Sequence, residues 1–189
     1  LGTEATPELV KSLEPDAVIV AVGAEPIRLP VPGADGDNVV MAMDMFNDGV
    51  KLGKKVVIIG GGLVGCEASL QLTHDGHEVT IVEMLPSIAN DAVMEHKQML
   101  MEKINAEVTV RTGARCAAID SEGVTVIVDG KEEKIPADSV IMSVGYRPKS
   151  ELAASFLETC DFVRRIGDCE TPGKIGPAIR YGYFAAMDV

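Results

Sequence analysis

Two similar apolar phrases bracket most of the chain. "PDAVIVAVGAEP" fills 15–26 and "ADSVIMSVGYRP" fills 137–148. In each, a run of mostly β-branched residues, Ala17–Val22 and Val140–Val144, is cut off by Gly and, three residues later, by Pro. Short unbroken apolar runs ended by Gly read as buried strands entering tight loops. Two such strands, more than a hundred residues apart, predict two related sheets. Between them, KKVVIIGGGLVGCEASLQLTHDGHEVTIVEM switches period twice. It predicts a strand at Val56–Ile59, a glycine turn, a helix over about Leu63–His74 and a strand at Val79–Val82. The helix carries apolar residues at 63, 64, 68, 70 and 72, and Asp75–Gly76 stops it. A second helix is expected over 91–106, with Asp91 as N-cap and Val93, Met94, Met99, Leu100 and Met101 partly on one face. Glu107–Thr112 reads as a third strand.

The alternation then shortens. RCAAID, VTVIVDG and KEEKIPA predict a small antiparallel meander, with Asp129–Gly130 as a hairpin turn. Upstream, residues 6–14 read as a short helix or turn. IRLPVPGADGDNVV reads as a linker rich in Pro30, Pro32, Gly33 and Gly36, followed by a short helix around Met41–Val50. The tail from 159 to 189 reads as a strand, a Gly-Asp turn, a loop and a helix. The fold class is therefore α/β: a parallel sheet with crossover helices, plus a β-meander.

Composition narrows the function. The chain has 189 residues, 47% of them hydrophobic, enough for a real core in one or two domains. No stretch approaches the length of a membrane span, and LGTEATPELV lacks a basic n-region and an apolar h-region. This opening also lacks Met, so a fragment or a processed form is expected. A net charge of −12 argues against nucleic acid or an anionic membrane as partner. Cys66, Cys116, Cys160 and Cys169 form no C-x-x-C pair and no zinc-like spacing, so reduced thiols in a cytoplasmic protein are expected. With no Trp and 4% aromatics, no stacking platform for single strands is expected either.

The chemistry concentrates in Gly60-Gly61-Gly62-Leu63-Val64-Gly65, which matches G-x-G-x-x-G. The match follows a strand, opens a helix, and precedes a strand-end acid, Glu83, by 23 residues counted from Gly60. That is the context of a dinucleotide fingerprint. Gly60 permits the tight turn, Gly62 lets the backbone approach a pyrophosphate, and Gly65 lets helix and strand pack closely. The pyrophosphate would meet the N–H groups and positive dipole end of the helix. Glu83 would accept hydrogen bonds from the adenosine ribose. A 2′-phosphate would set negative charge against it, and MLPSIAN, beginning at Met84, offers no compensating Arg or Lys. NADH is thus favoured over NADPH, while FAD, whose ribose is also free, is not excluded by Glu83 alone. Glu67, in the first helical turn, either complements the dipole or contacts the ligand.

Taken together, GGGLVGCE, the strand-end Glu, the meander, two VG-x-x-P strand ends and a late IGDC resemble the two-dinucleotide flavoprotein family of pyridine-nucleotide oxidoreductases. The wording of TPELVKSLEPDAVIVAVGAEP, GGGLVGCEASLQLTHDGHEVTIVEM and IGDCETPGKIGPAIRYGYFAAM is similar to one branch, the 2,4-dienoyl-CoA reductase and 2-enoate reductase type. The resemblance implies a Rossmann-like NAD(H)-binding domain over 51–148, inserted into an FAD-binding domain. Residues 1–50 and 149–189 would be remnants of that FAD domain. It implies that Gly23 and Gly145 close the two nucleotide sites, one in each sheet. It also implies that Gly167 and Asp168 of IGDC face the flavin, Asp168 on its ribityl chain; a turn Asp is the other reading.

The same resemblance implies hydride transfer from NADH to FAD. Electrons would then pass through a [4Fe–4S] centre to FMN, which reduces an enoate or enoyl-CoA double bond. The FAD fingerprint, the FMN barrel and the cluster cysteines have no counterpart among these residues. FAD is therefore expected to be held weakly or not at all here, and a non-catalytic NAD-binding module or a redox-sensing or assembly subunit is the alternative. No side chain is assigned acid–base chemistry, because the cofactors carry the reaction. Cys66 at a helix start has a position that favours reactivity, against which stands a role as a small packed residue. Cys169 carries no redox role. His74 and His77 in THDGHE lack a third ligand for a metal. The methionines at 41, 43, 45, 94, 99 and 101 read as helix-face packing.

Overall fold

The computed structural model describes residues 1–189, and most of the apolar runs become strands where they are expected. The chain forms two units: Pro26–Gly145, and Leu1–Glu25 together with Tyr146–Val189. In the second of these, α1 (Pro7–Ser12) is capped by the Thr6 side chain, which accepts from Leu9 N–H. There, β1 (Val18–Val20) pairs in parallel with β12 (Val163–Arg165). The two repeated phrases meet at their Pro-containing ends, where β2 (Ala24–Pro26) pairs with β11 (Tyr146–Pro148). An ion pair joins Glu25 and Arg147 across these strands. A short α4 (Ser150–Ala154), a 3-10 turn at Gly167–Cys169 and α5 (Ile175–Met187) complete the unit.

The unit over 26–145 holds a five-stranded parallel sheet, in the order β3 (Val39–Met41), β10 (Ser139–Met142), β4 (Lys55–Ile59), β5 (Glu78–Val82) and β6 (Thr109–Arg111). Its central strands are buried on both faces: Val56, Val57, Ile58, Val82, Val140, Ile141 and Met142 are all at most 1% exposed. That is why they read as continuous apolar runs. α2 (Leu63–His74) and α3 (Met94–Glu107) cover one face, packing Cys66, Ala68, Leu72, Leu100 and Ile104 against Ile58 and Ile81. The meander β7 (Arg115–Asp120), β8 (Gly123–Val128) and β9 (Lys131–Pro136) covers the other, setting Val124 and Val126 against Val57 and Val140. Asp129 at φ 49° and Gly130 at φ 76° give the hairpin its paired left-handed residues, as the Asp-Gly signal requires.

Several expectations need correction. Met41–Val50 is not a helix. Met41 ends β3, and the following residues form successive tight turns, with bonds from Asp44 N–H to Met41 O and from Asn47 N–H to Asp44 O. Asn47 Nδ2 also donates to Asp44 Oδ1, and Gly49 sits at φ 90°. Side chains and glycines that bond locally outcompete a helix here. The unit over Pro26–Gly145 includes β3, which belongs to its sheet, and Leu29 and Val31, which pack on its core. Its last residue is Gly145, and Tyr146–Pro148 pairs with β2.

The buried face of α2 is Gly65, Cys66, Ala68, Ser69 and Leu72, an i, i+3, i+4, i+7 stripe of mostly small residues; Val64 is exposed. α3 buries Leu100 and Ile104 and leaves Val93, Met94 and Met99 exposed. Its cap position is Val93, without a side-chain bond, so Asp91 is not its N-cap. Met41 and Met45 are core residues of a strand and a turn rather than of a helix face. No helix is long and apolar enough to cross a membrane.

Candidate functional site

The glycine loop lies between the end of β4 and the start of α2. Gly60 takes φ 108°, a region closed to most side chains, and a Cβ there would stand 2.1 Å from the Ser143 carbonyl oxygen. A Cβ on Gly61 would meet Ile88 Cγ2 at 2.5 Å, and one on Gly65 would meet the Gly60 carbonyl oxygen at 2.1 Å. These three glycines are required by the fold itself. Gly62 differs. It is the N-cap, at φ −69° and ψ 179°, which any residue can adopt. A Cβ there would meet only the carboxylate oxygens of Asp91, at 3.8 and 3.9 Å. Nothing in the protein's own packing asks for glycine at 62. A close-approaching ligand would.

Glu83 follows the last residue of β5 and is half-buried. Its Oε2 accepts from Gly61 N–H at 2.7 Å and its Oε1 from Leu85 N–H at 2.7 Å. Each oxygen keeps a second lone-pair direction with which to accept a hydroxyl. The loop after it is tied back to the glycine turn, since Ala89 N–H donates to Gly61 O at 2.7 Å. Asp91 Oδ1 accepts from Leu63 N–H at 2.9 Å, the first residue of α2. Asp91 therefore caps α2, a helix 28 residues earlier in the chain, rather than its own helix. Met84 is 64% exposed beside this acid.

Glu67 is exposed on the first turns of α2, and its carboxylate lies 3.8 Å from His96 Nε2 on α3. An open hollow of about 570 Å³ adjoins it, lined among others by Met45, Phe46, Val64, Glu67 and Gln71. Sequence reading missed His96 and Phe46, because each joins the region through the packing of separate elements and carries no local signal. Cys66 is fully buried, and burial pushes its thiol up to about 11. The nearby Asp91, Glu83 and Glu67 carboxylates add to the rise. Desolvation overrides the helix start, and Cys66 is a packed small residue.

Gly60, Gly61, Gly62, Leu63, Val64, Gly65, Glu67, Glu83 and Met84 thus come together at one end of the parallel sheet, and Gly145, at φ 95°, is the last residue of the same unit. Gly23, Gly167 and Asp168 belong to the other unit. Asp168 Oδ1 accepts from Gly173 N–H at 3.1 Å, so it braces a turn. Cys169 is buried, with Sγ directed at the carbonyls of Val20 and Ile166. His77 Nδ1 contacts Gly53 O at 2.8 Å, and His74 lies beside Asp75.

Comparison with known proteins shows the family. The sequence profile of a family described as pyridine nucleotide-disulphide oxidoreductase matches residues 3–166. The chain is 36% identical over 195 residues to NADH oxidase of Thermoanaerobacter brockii, covering 100% of this chain and 30% of that protein. It is 33% identical over 193 residues to cinnamate reductase of Clostridium sporogenes, covering 100% of this chain and 29% of that one. Among solved structures, a 2-naphthoyl-CoA reductase in complex with 2-naphthoyl-CoA matches with a TM-score of 0.90 at 29% identity. That match covers 100% of this chain and 29% of the other. The chain thus spans about 30% of the length of these relatives.

Proposed function

Because the chain belongs to the pyridine nucleotide-disulphide oxidoreductase family, a family of enzymes, we propose that it is the NADH-binding, electron-entry part of a flavin-dependent oxidoreductase. The observation that carries this reading is Gly62: a glycine at a helix N-terminus that the packing does not require, since a Cβ there would meet only the Asp91 carboxylate, at 3.8 and 3.9 Å. That is the arrangement a pyrophosphate needs in order to reach backbone N–H groups. Gly60, Gly61 and Gly65 set the turn, Leu63 and Val64 bring the first N–H groups of α2, and Glu83 receives the adenosine ribose. Met84 lies against the adenosine end. Glu67 lies one helical turn further along α2, beside a hollow that Val64 and Gln71 also line.

When bound, the nicotinamide would supply a hydride, for which FAD would be the acceptor. The chain's own residues position the dinucleotide and need no acid–base role. Gly23, Gly145, Gly167 and Asp168 are assigned to nucleotide contacts in the longer protein, where FMN and a [4Fe–4S] centre would reside outside these residues. An enoate or enoyl-CoA substrate is supported by the names of two relatives, a cinnamate reductase and a 2-naphthoyl-CoA reductase.

The test is calorimetric titration of the 189-residue chain with NADH and with NADPH at fixed salt. Tighter binding of NADH is expected, since Glu83 would face a 2′-phosphate with like charge. Equal affinities would overturn the role of Glu83, and no binding of either would overturn the site.

A further inference from the structure

The open space over Gly62 has one boundary, the Asp91 carboxylate, and that boundary carries the wrong charge for an anionic ligand. Asp91 Oδ1 accepts from Leu63 N–H at 2.9 Å, and both of its oxygens lie 3.8 to 3.9 Å from where a Gly62 Cβ would be. It therefore draws on the Leu63 N–H and on the same positive dipole end that a pyrophosphate would use. Glu83 and Glu67 lie close enough to add to the negative potential at this end of α2, since both act with Asp91 on the Cys66 thiol. Asp91 is exposed and sits in the loop before α3 rather than in a helix or strand, so its side chain has room to turn into solvent.

We propose that Asp91 is an internal competitor for the pyrophosphate position, standing in for the ligand's anion until the dinucleotide displaces it. This rests on the reading of the glycine loop as the dinucleotide site, and it goes beyond that reading by naming the residue that sets the affinity. The exchange is one anion for another at a single helix N-terminus. Without the ligand the Leu63 N–H is satisfied by Asp91, and binding is weakened by the cost of moving a carboxylate that already has a partner. The arrangement holds the affinity of this site below what the loop alone would give.

Asp91→Asn separates charge from shape, because the amide oxygen can still accept from Leu63 N–H. Affinity for NADH should rise about fivefold, the effect of one unit charge about 4 Å away in a water-like dielectric. ADP-ribose, which carries the same pyrophosphate, should gain equally. Adenosine, which carries no phosphate, should gain nothing, and a purely structural change would not divide the ligands in that way. Asp91→Ser, a second neutral acceptor, should reproduce the gain should the Asn variant fail to fold. Parent-like or weaker NADH binding by folded variants would overturn the proposal and leave the dinucleotide site standing. So would an equal gain for adenosine. Failure of both parent and variants to bind NADH or ADP-ribose would remove the site itself, and the competitor with it.

Discussion

Gly62 and Gly65 stand three residues apart on one loop, and Ala at each should fail in a different way. At Gly65 the new methyl would lie 2.1 Å from the Gly60 carbonyl oxygen and 3.4 Å from Ile58 Cγ2. The first neighbour is backbone and cannot rotate away, so α2 must move off the turn. Overpacking of this kind costs about 1–3 kcal/mol, and the better helix propensity of Ala returns up to about 1 kcal/mol. A net loss of about 1–2 kcal/mol lowers the melting temperature of a chain this size by about 2–8 °C. At Gly62 the methyl meets nothing nearer than 3.8 Å, and φ of −69° suits Ala. Stability should hold within about 0.5 kcal/mol, while the methyl occupies the surface where the pyrophosphate must approach.

The assay is a pair of thermal melts, with NADH absent and with NADH near a hundredfold excess over its dissociation constant. Such an excess stabilises a binding-competent protein by about 2.7 kcal/mol. The parent should gain from NADH, Gly62→Ala should melt like the parent but gain nothing, and Gly65→Ala should melt lower. If both variants melt like the parent and still gain from NADH, the loop is not the nucleotide site.

Two further outcomes are expected. Glu83→Gln keeps an oxygen for one of the Gly61 and Leu85 N–H groups and removes the charge. It should narrow the preference for NADH over NADPH in calorimetric titrations, and an unchanged ratio would show that Glu83 does not face the ribose 2′ position. Cys66, with its thiol pushed up to about 11 and fully buried, should be alkylated at pH 8 at least about a hundredfold more slowly in the native chain than in denaturant. Mass-spectrometric labelling at the denatured rate would contradict its burial.

What the sequence made legible was local. The strands β4, β5 and β10 are buried on both faces and so appear as unbroken apolar runs. The Asp129–Gly130 turn and the glycine loop are legible because their backbone conformations demand those residue types. β3 was hidden inside a Pro- and Gly-rich stretch, being three residues long and defined only by pairing with β10. Of the apolar positions on α2, Ala68 and Leu72 are buried, Leu63 and Leu70 pack against the core and Val64 is exposed, while Gly65, Cys66 and Ser69 also face the sheet and escape an apolar count because they are small or polar. Asp91 had the right chemistry for an N-cap but the wrong helix: its partner, Leu63 N–H, is reached only once α2 and α3 lie side by side. The Glu67–His96 pair arises in the same way. Contacts made by folding, rather than by neighbouring residues, were the ones missing.

The pairing of the two repeated phrases leads to a last prediction. β2 and β11 lie together, and Ile27 N–H donates to Gly145 O at 3.0 Å, so the chain enters and leaves the 26–145 unit at one point. The cores divide along the same line. Two large clusters, one around Ile58 and Ile81 and the other around Val57 and Val124, are built wholly from residues of that unit. The remaining residues share a small cluster of Val20, Ala153, Phe156 and Cys169, while α5 leaves Ile175, Ile179, Phe184 and Met187 exposed. A segment with adjacent ends and a complete core meets the physical conditions of an independent domain. Residues 26–145 expressed alone should therefore unfold cooperatively and be stabilised by NADH as much as the full chain is, because every residue of the glycine loop and Glu83 is retained. Residues 1–25 joined to 146–189 should lack a cooperative transition, since so small a core does not offset the entropy of ordering the chain. Circular dichroism melts of the two pieces decide the matter. An unfolded 26–145 piece would mean that the larger unit depends on its flanking segments, and that its own two clusters are not sufficient to hold it.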